Sequence, residues 1–199
     1  MKRALALLLI LLLLASPAAA FWDVADDAWY APAVASVQDK GIMTGVGDGR
    51  FDPDGIVTRG TMAAVIHRMA GSPFSGAPQY FVDDMRAGMW HADAVIWCAD
   101  KGIITGVDET HFCPNDPVTR EQAALMLWRF AGWPQTKPAY FADSYKINWW
   151  SKLGVDWAAQ TGIVTGKPDG LFDPQGPTTR AELAQMVTRF TTWKQAQAG

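Results

Sequence analysis

Cysteine is scarce: the 199 residues contain two, Cys98 and Cys113. They lack metal-type spacing, which excludes a disulfide scaffold and a zinc module. A single disulfide and two independent thiols both remain open readings. Histidine is also scarce, and the three present, His67, His91 and His111, recur at no matching positions in the chain. No Ser-His or Cys-His arrangement stands out. Positive charge is also in short supply, with 17 Lys and Arg against 20 Asp and Glu. A mildly acidic chain is a poor partner for nucleic acid, whose binding rests on neutralising phosphates. An anionic ligand would have to be caught by particular arginines against a weakly repelling overall field.

Long apolar runs are missing beyond the first twenty residues. There, Lys2 and Arg3 precede an apolar run from Ala4 to Ala15, and Ala18 and Ala20 occupy small positions before Phe21. This reads as a secretory signal peptide over 1–20, too short to span a bilayer comfortably, with an uncleaved anchor as the alternative. Cleavage removes Lys2 and Arg3 and takes the formal net charge from −3 to −5. No membrane span is expected afterwards.

What the chain has in abundance is itself, because one unit is written three times. Each copy opens with Phe-x-Asp, as Phe21 to Asp23, Phe81 to Asp83 and Phe141 to Asp143, 60 residues apart. A tryptophan follows, Trp29, Trp90 or Trp150, and then GIMTG from Gly41, GIITG from Gly102 and GIVTG from Gly162. Phe51, Phe112 and Phe172 come next, each two residues before a proline, and then Thr58-Arg59, Thr119-Arg120 and Thr179-Arg180. Small-residue and proline linkers suggest units at 21–76, 77–136 and 137–199, the last ending in a short polar tail from Lys194.

Periodicity makes each unit helix-loop-helix. Met62, Val65, Ile66 and Met69 form one apolar stripe, repeated by Ala123, Met126, Leu127 and Phe130 and by Leu183, Met186, Val187 and Phe190. A shorter first helix is expected over Pro32–Lys40, closed by Gly41. A helix pair of this size cannot bury its stripe alone, so the copies should share a core.

Capping accounts for part of the Thr-Arg motif. Thr119 with Gln122 and Thr179 with Glu182 have the spacing of capping boxes. Arg59, Arg120 and Arg180 are not explained by it, since a cation in the first turn opposes the helix dipole. Arg68, Arg129 and Arg189, near helix C-termini, are placed where the dipole favours them. A first-turn arginine beside free helix-start amides would grip a carboxylate, and pairing with Asp23, Asp83 and Asp143 is the equal alternative. Trp29, Trp90 and Trp150 read as core more readily than as sugar-stacking faces. Gly45, Gly106 and Gly166 read as unusual backbone angles, with ligand approach as the other use. The acidic loops fail the calcium-loop spacing, so neither a metal nor a cofactor is implied.

In this order, these motifs resemble three tandem S-layer homology domains. The resemblance implies an all-α, pseudo-threefold assembly with ligand grooves between neighbouring repeats. It further implies attachment to a secondary cell-wall polysaccharide, often pyruvylated, through the arginine of a Thr-Arg-Ala-Glu motif, here Arg59, Arg120 and Arg180. The tryptophans, glycines and aspartates named above are the remaining groove candidates. Only Thr179–Glu182 matches that motif in full. Glu121 in the second copy adds a negative charge, and Gly60 in the first suggests a looser site. The expected product is a secreted, wall-associated, non-enzymatic anchor. The alternative is a structural or adaptor role among surface-layer proteins. A glycosidase would need paired acids, and no acid departs from the repeating plan.

Overall fold

The computed structural model describes residues 21–76, 81–83 and 89–199. The expected signal peptide, residues 1–20, lies outside them. Among the described residues six α-helices follow in pairs: α1 (Ala31–Asp39), α2 (Arg59–Met69), α3 (Ala92–Asp100), α4 (Arg120–Phe130), α5 (Lys152–Gln160) and α6 (Arg180–Gln197), with one 3-10 turn at Ser144–Lys146. Among the described residues there is no strand beyond isolated bridges, so the chain is all-α.

The long helices start where the threonines predict. Thr58, Thr119 and Thr179 each accept the amide three residues on, and Gln122 and Glu182 complete reciprocal boxes. The first helices of the pairs close on glycines in the left-handed region, Gly41, Gly102 and Gly162. Helix α6 continues to Gln197, so the expected polar tail is helical. Its added turns carry Trp193, whose ring meets Trp157 edge-on at 5.1 Å between centroids.

Each long helix packs on the short helix of the next repeat: α2 on α3, α4 on α5, and α6 back on α1. Three main-chain bonds close the same circuit. Val57 donates to the Thr178 carbonyl (2.9 Å), Thr178 to Val118 (2.8 Å) and Val118 to Val57 (2.9 Å). One apolar cluster runs through all three repeats, with Phe51, Phe112 and Phe172 wholly buried as expected. Burying a side chain of this size contributes roughly 1.5–3 kcal/mol. Both cysteines are free. Cys98 sits in the core, where burial pushes its thiol up to about 12.

Two glycine expectations change. Gly45, Gly106 and Gly166 have no left-handed angles. They are small because the opening phenylalanine of their own repeat lies against them. A Cβ at Gly45 would stand 2.6 Å from Phe21 Cε1, at Gly106 2.5 Å from Phe81 Cε1, and at Gly166 3.2 Å from Phe141 Cε1. Gly60 does not loosen the first repeat either. It is buried, and a Cβ there would meet the Pro114 carbonyl at 3.1 Å and His91 Cγ at 3.4 Å. The corresponding Glu121 meets Ser151, which stands where His91 does: its carboxylate accepts from Ser151 Oγ (2.8 Å) and the Asn148 amide (3.0 Å). Residue size at this helix position is matched to the neighbour it touches.

Candidate functional site

The three Thr-Arg arginines cross from one repeat to the next. Arg59 donates through Nε to the Phe112 carbonyl (2.8 Å) and through Nη2 to that of Thr105 (2.7 Å). Arg120 reaches Phe172 (2.8 Å) and Thr165 (3.3 Å), and Arg180 reaches Phe51 (2.7 Å) and Thr44 (2.7 Å). Each guanidinium also lies over the buried phenylalanine of the repeat it enters, with 4.7, 5.4 and 4.6 Å to the ring centroids. This explains a cation in the first turn, where the dipole opposes it. The side chain leaves its own helix and fastens the following repeat.

The surroundings that the sequence suggested for these arginines inside the protein are not those observed. Asp23, Asp83 and Asp143 do not bond the arginines. Their carboxylates accept paired loop amides instead: Phe51 and Asp52, Phe112 and Cys113, and Phe172 and Asp173. Burial alone would raise these acids, but the amides hold all three below the usual carboxylate value. The helix-start amides are not free. The amides of Arg59, Arg120 and Arg180 go to the carbonyls of Asp116, Gly176 and Gly55, and the next ones to Pro114, Pro174 and Pro53.

What remains is the third arm of each guanidinium. In Arg120, Nη1 donates to Glu182 Oε1 at 2.5 Å. The Nη1 groups of Arg59 and Arg180 have no hydrogen-bond partner among the described residues. Arg59 and Arg120 are 7% and 4% exposed, while Arg180 is half-buried. Burial pushes Arg59 and Arg180 below the ordinary arginine value, opposed by Asp116 and Asp83 near the first and by Asp52 and Asp23 near the second. A guanidinium stays charged throughout.

Two grooves of matching construction open over these arginines. One, of about 520 Å³, has Arg180 at its base, Gly45 and its neighbours with Thr61, Val65 and Arg68 of α2 as walls, and Trp90 at its edge. The other, of about 370 Å³, joins Arg120 to Gly166, to Glu182, Met186 and Arg189 of α6, and to Trp29. Each draws an arginine from one repeat, its walls from the next and a tryptophan from the third. Trp29, Trp90 and Trp150 are 64%, 63% and 39% exposed, so these indoles are not core.

Arg68 and Arg189 are groove residues that sequence reasoning set aside. Their C-terminal helix position seemed explanation enough, yet each donates toward the groove wall, Arg68 to the Ile42 carbonyl (3.2 Å) and Arg189 to Thr165 Oγ1 (3.4 Å). Their recurrence nine residues after each Thr-Arg arginine was the available signal.

A family model described as "S-layer homology domain" matches residues 20–63, 83–124 and 140–184. The chain belongs to the S-layer homology domain family. An amylopullulanase of Thermoanaerobacterium thermosulfurigenes is 31% identical over 84% of this chain, and the exoglucanase XynX of Acetivibrio thermocellus 30% over 84%. A surface-layer 125 kDa protein of Lysinibacillus sphaericus is 28% identical over 79%. The chain spans only 9%, 16% and 14% of the lengths of these relatives. Proteins named as enzymes and as surface-layer proteins thus share the same three-repeat segment, so the S-layer homology segment is not itself the catalytic part. Its family assigns the chain to the cell surface. No helix among the described residues is long and apolar enough to cross a membrane.

Proposed function

We propose that the protein anchors to the cell wall by binding an acidic glycan in its inter-repeat grooves, the acid being a pyruvate ketal on the sugar. The observation that carries this reading is the composition of the groove over Arg180. It combines a guanidinium with an uncommitted arm, a second arginine, an apolar wall and an exposed indole, and among the described residues no acid lines it. A carboxylate suits the arginine, and the apolar face of a pyranose suits Trp90. Arg120 holds the corresponding place in the other groove, with Trp29 as its indole. Several weak sites on one body gain by avidity, since a polymer that engages one groove presents further ligands at high local concentration.

The supporting test is co-sedimentation of the mature protein with purified cell walls. Arg180 also fastens two repeats, so the informative variants are Trp90→Ala and Arg68→Ala, with a thermal melt run beside them. Retention is expected to fall several-fold in both while the melt stays close to that of the parent. Full retention by both variants would remove the groove from the binding surface. Release of reducing sugar from the walls would instead revive the enzymatic reading.

A further inference from the structure

The Glu182 carboxylate lines the groove that its own repeat walls, over the arginine that the second repeat sends across. Glu182 stands at the third position of α6, where its Oε2 accepts the Thr179 amide at 3.0 Å as one half of a capping box. Its other oxygen, Oε1, takes the Nη1 group of Arg120 at 2.5 Å, in an ion pair whose side chains are 5% (Arg120) and 21% (Glu182) exposed. The corresponding position of the first repeat is Thr61, which lines the groove over Arg180; in the second it is Gln122.

Resting on the reading that these grooves bind a sugar-linked carboxylate, we infer that Glu182 is a built-in competitor that closes the Arg120 groove, leaving the Arg180 groove as the principal anion site. A bound anion at Arg120 would have to displace a short, half-enclosed, charge-assisted bond and leave the Glu182 carboxylate beside it. At Arg180 it meets no such rival. Asp23 and Asp52 lie near enough to be felt, but Asp23 is spent on the Phe51 and Asp52 amides, and no carboxylate hydrogen-bonds Arg180 among the described residues. Arg68 adds a second cation at that groove. In the Arg120 groove Arg189 holds the matching place, but the Glu182 carboxylate stands there with it, and Lys167 is paired with Asp173. The repeat with the complete Thr-Arg-Ala-Glu motif therefore supplies two opposite things: Arg180, which opens the first repeat's groove, and Glu182, which shuts its own.

The chain contains the control for a test. Gln122 caps α4 through its side-chain oxygen on the Thr119 amide (3.0 Å) without a charge, so Glu182→Gln should keep the cap of α6. Thr61→Glu performs the reverse exchange and completes a capping box on α2. Crystals of the mature protein and both variants would be soaked in sodium pyruvate. The unaltered protein should show a carboxylate against Arg180 and none against Arg120. Glu182→Gln should add one at Arg120, and Thr61→Glu should lose the one at Arg180 and weaken wall retention roughly tenfold or more. Pyruvate bound at Arg120 in the unaltered protein, an Arg180 groove left empty there, or an Arg120 groove still empty after Glu182→Gln would each overturn the inference. The expected soaks combined with wall retention indifferent to Thr61→Glu would uphold the groove asymmetry and remove the wall-glycan reading instead.

Discussion

At the scale of single residues, each recurring side chain has a partner in another repeat or another part of its own. Asp23, Asp83 and Asp143 lock the start of a repeat to its loop through paired amides. Their depressed values mean that the stability they supply is complete above the ordinary carboxylate value near 4 and is lost as pH falls through the lower folded values. Asp143→Asn should cost about 1–3 kcal/mol at pH 7, from the weakened amide pair, and should flatten the acid limb of the stability profile, as read by urea titrations between pH 2 and 7. The glycines give a graded expectation. Gly106→Ala drives a Cβ to 2.4 Å from the Asp108 carbonyl, whereas Gly166→Ala meets nothing nearer than 3.2 Å. The first should destabilise by about 1–3 kcal/mol or more and the second by distinctly less, measured as urea midpoints. Sequence reasoning had the glycine positions but assigned them backbone angles, because a close approach by Phe21, Phe81 or Phe141 depends on where a loop folds back and leaves no local pattern.

At the scale of elements, much was legible. The apolar stripes of α2, α4 and α6, the threonine caps and the closing glycines are local devices, and local devices can be read from spacing. Thr179→Ala should cost about 1 kcal/mol, seen as a lowered urea midpoint with unchanged slope. The arginines and tryptophans were found as residues, but their neighbours inside the protein were not. Pairing with Asp23, Asp83 or Asp143 was the alternative, whereas Arg59, Arg120 and Arg180 each reach main-chain carbonyls of the next repeat. Trp29, Trp90 and Trp150 looked like core because aromatic repetition usually is core. Their exposure follows from a short helix whose buried face is already filled by small residues and valine, as with Ala33, Val34 and Val37 in α1.

At the scale of the whole molecule, the repeats are linked in a circuit rather than a row. Helix α6 returns to α1, and the Val57, Thr178 and Val118 bonds need all three repeats at once. A chain lacking residues 137–199 should therefore show no cooperative thermal transition in calorimetry, because α1 and α4 lose their partners together with the carbonyls that hold Arg120. Two independent transitions in the full chain would speak against this coupling. The same circuit makes the grooves, since none has its arginine, walls and tryptophan from a single repeat.

The central claim is that a carboxylate on the wall glycan is what the grooves grip. Its most direct test is the retention of the mature protein on purified walls before and after mild acid hydrolysis of their pyruvate ketals. The account predicts firm retention on the untreated walls and its loss on the treated ones. Equal retention on both would contradict it.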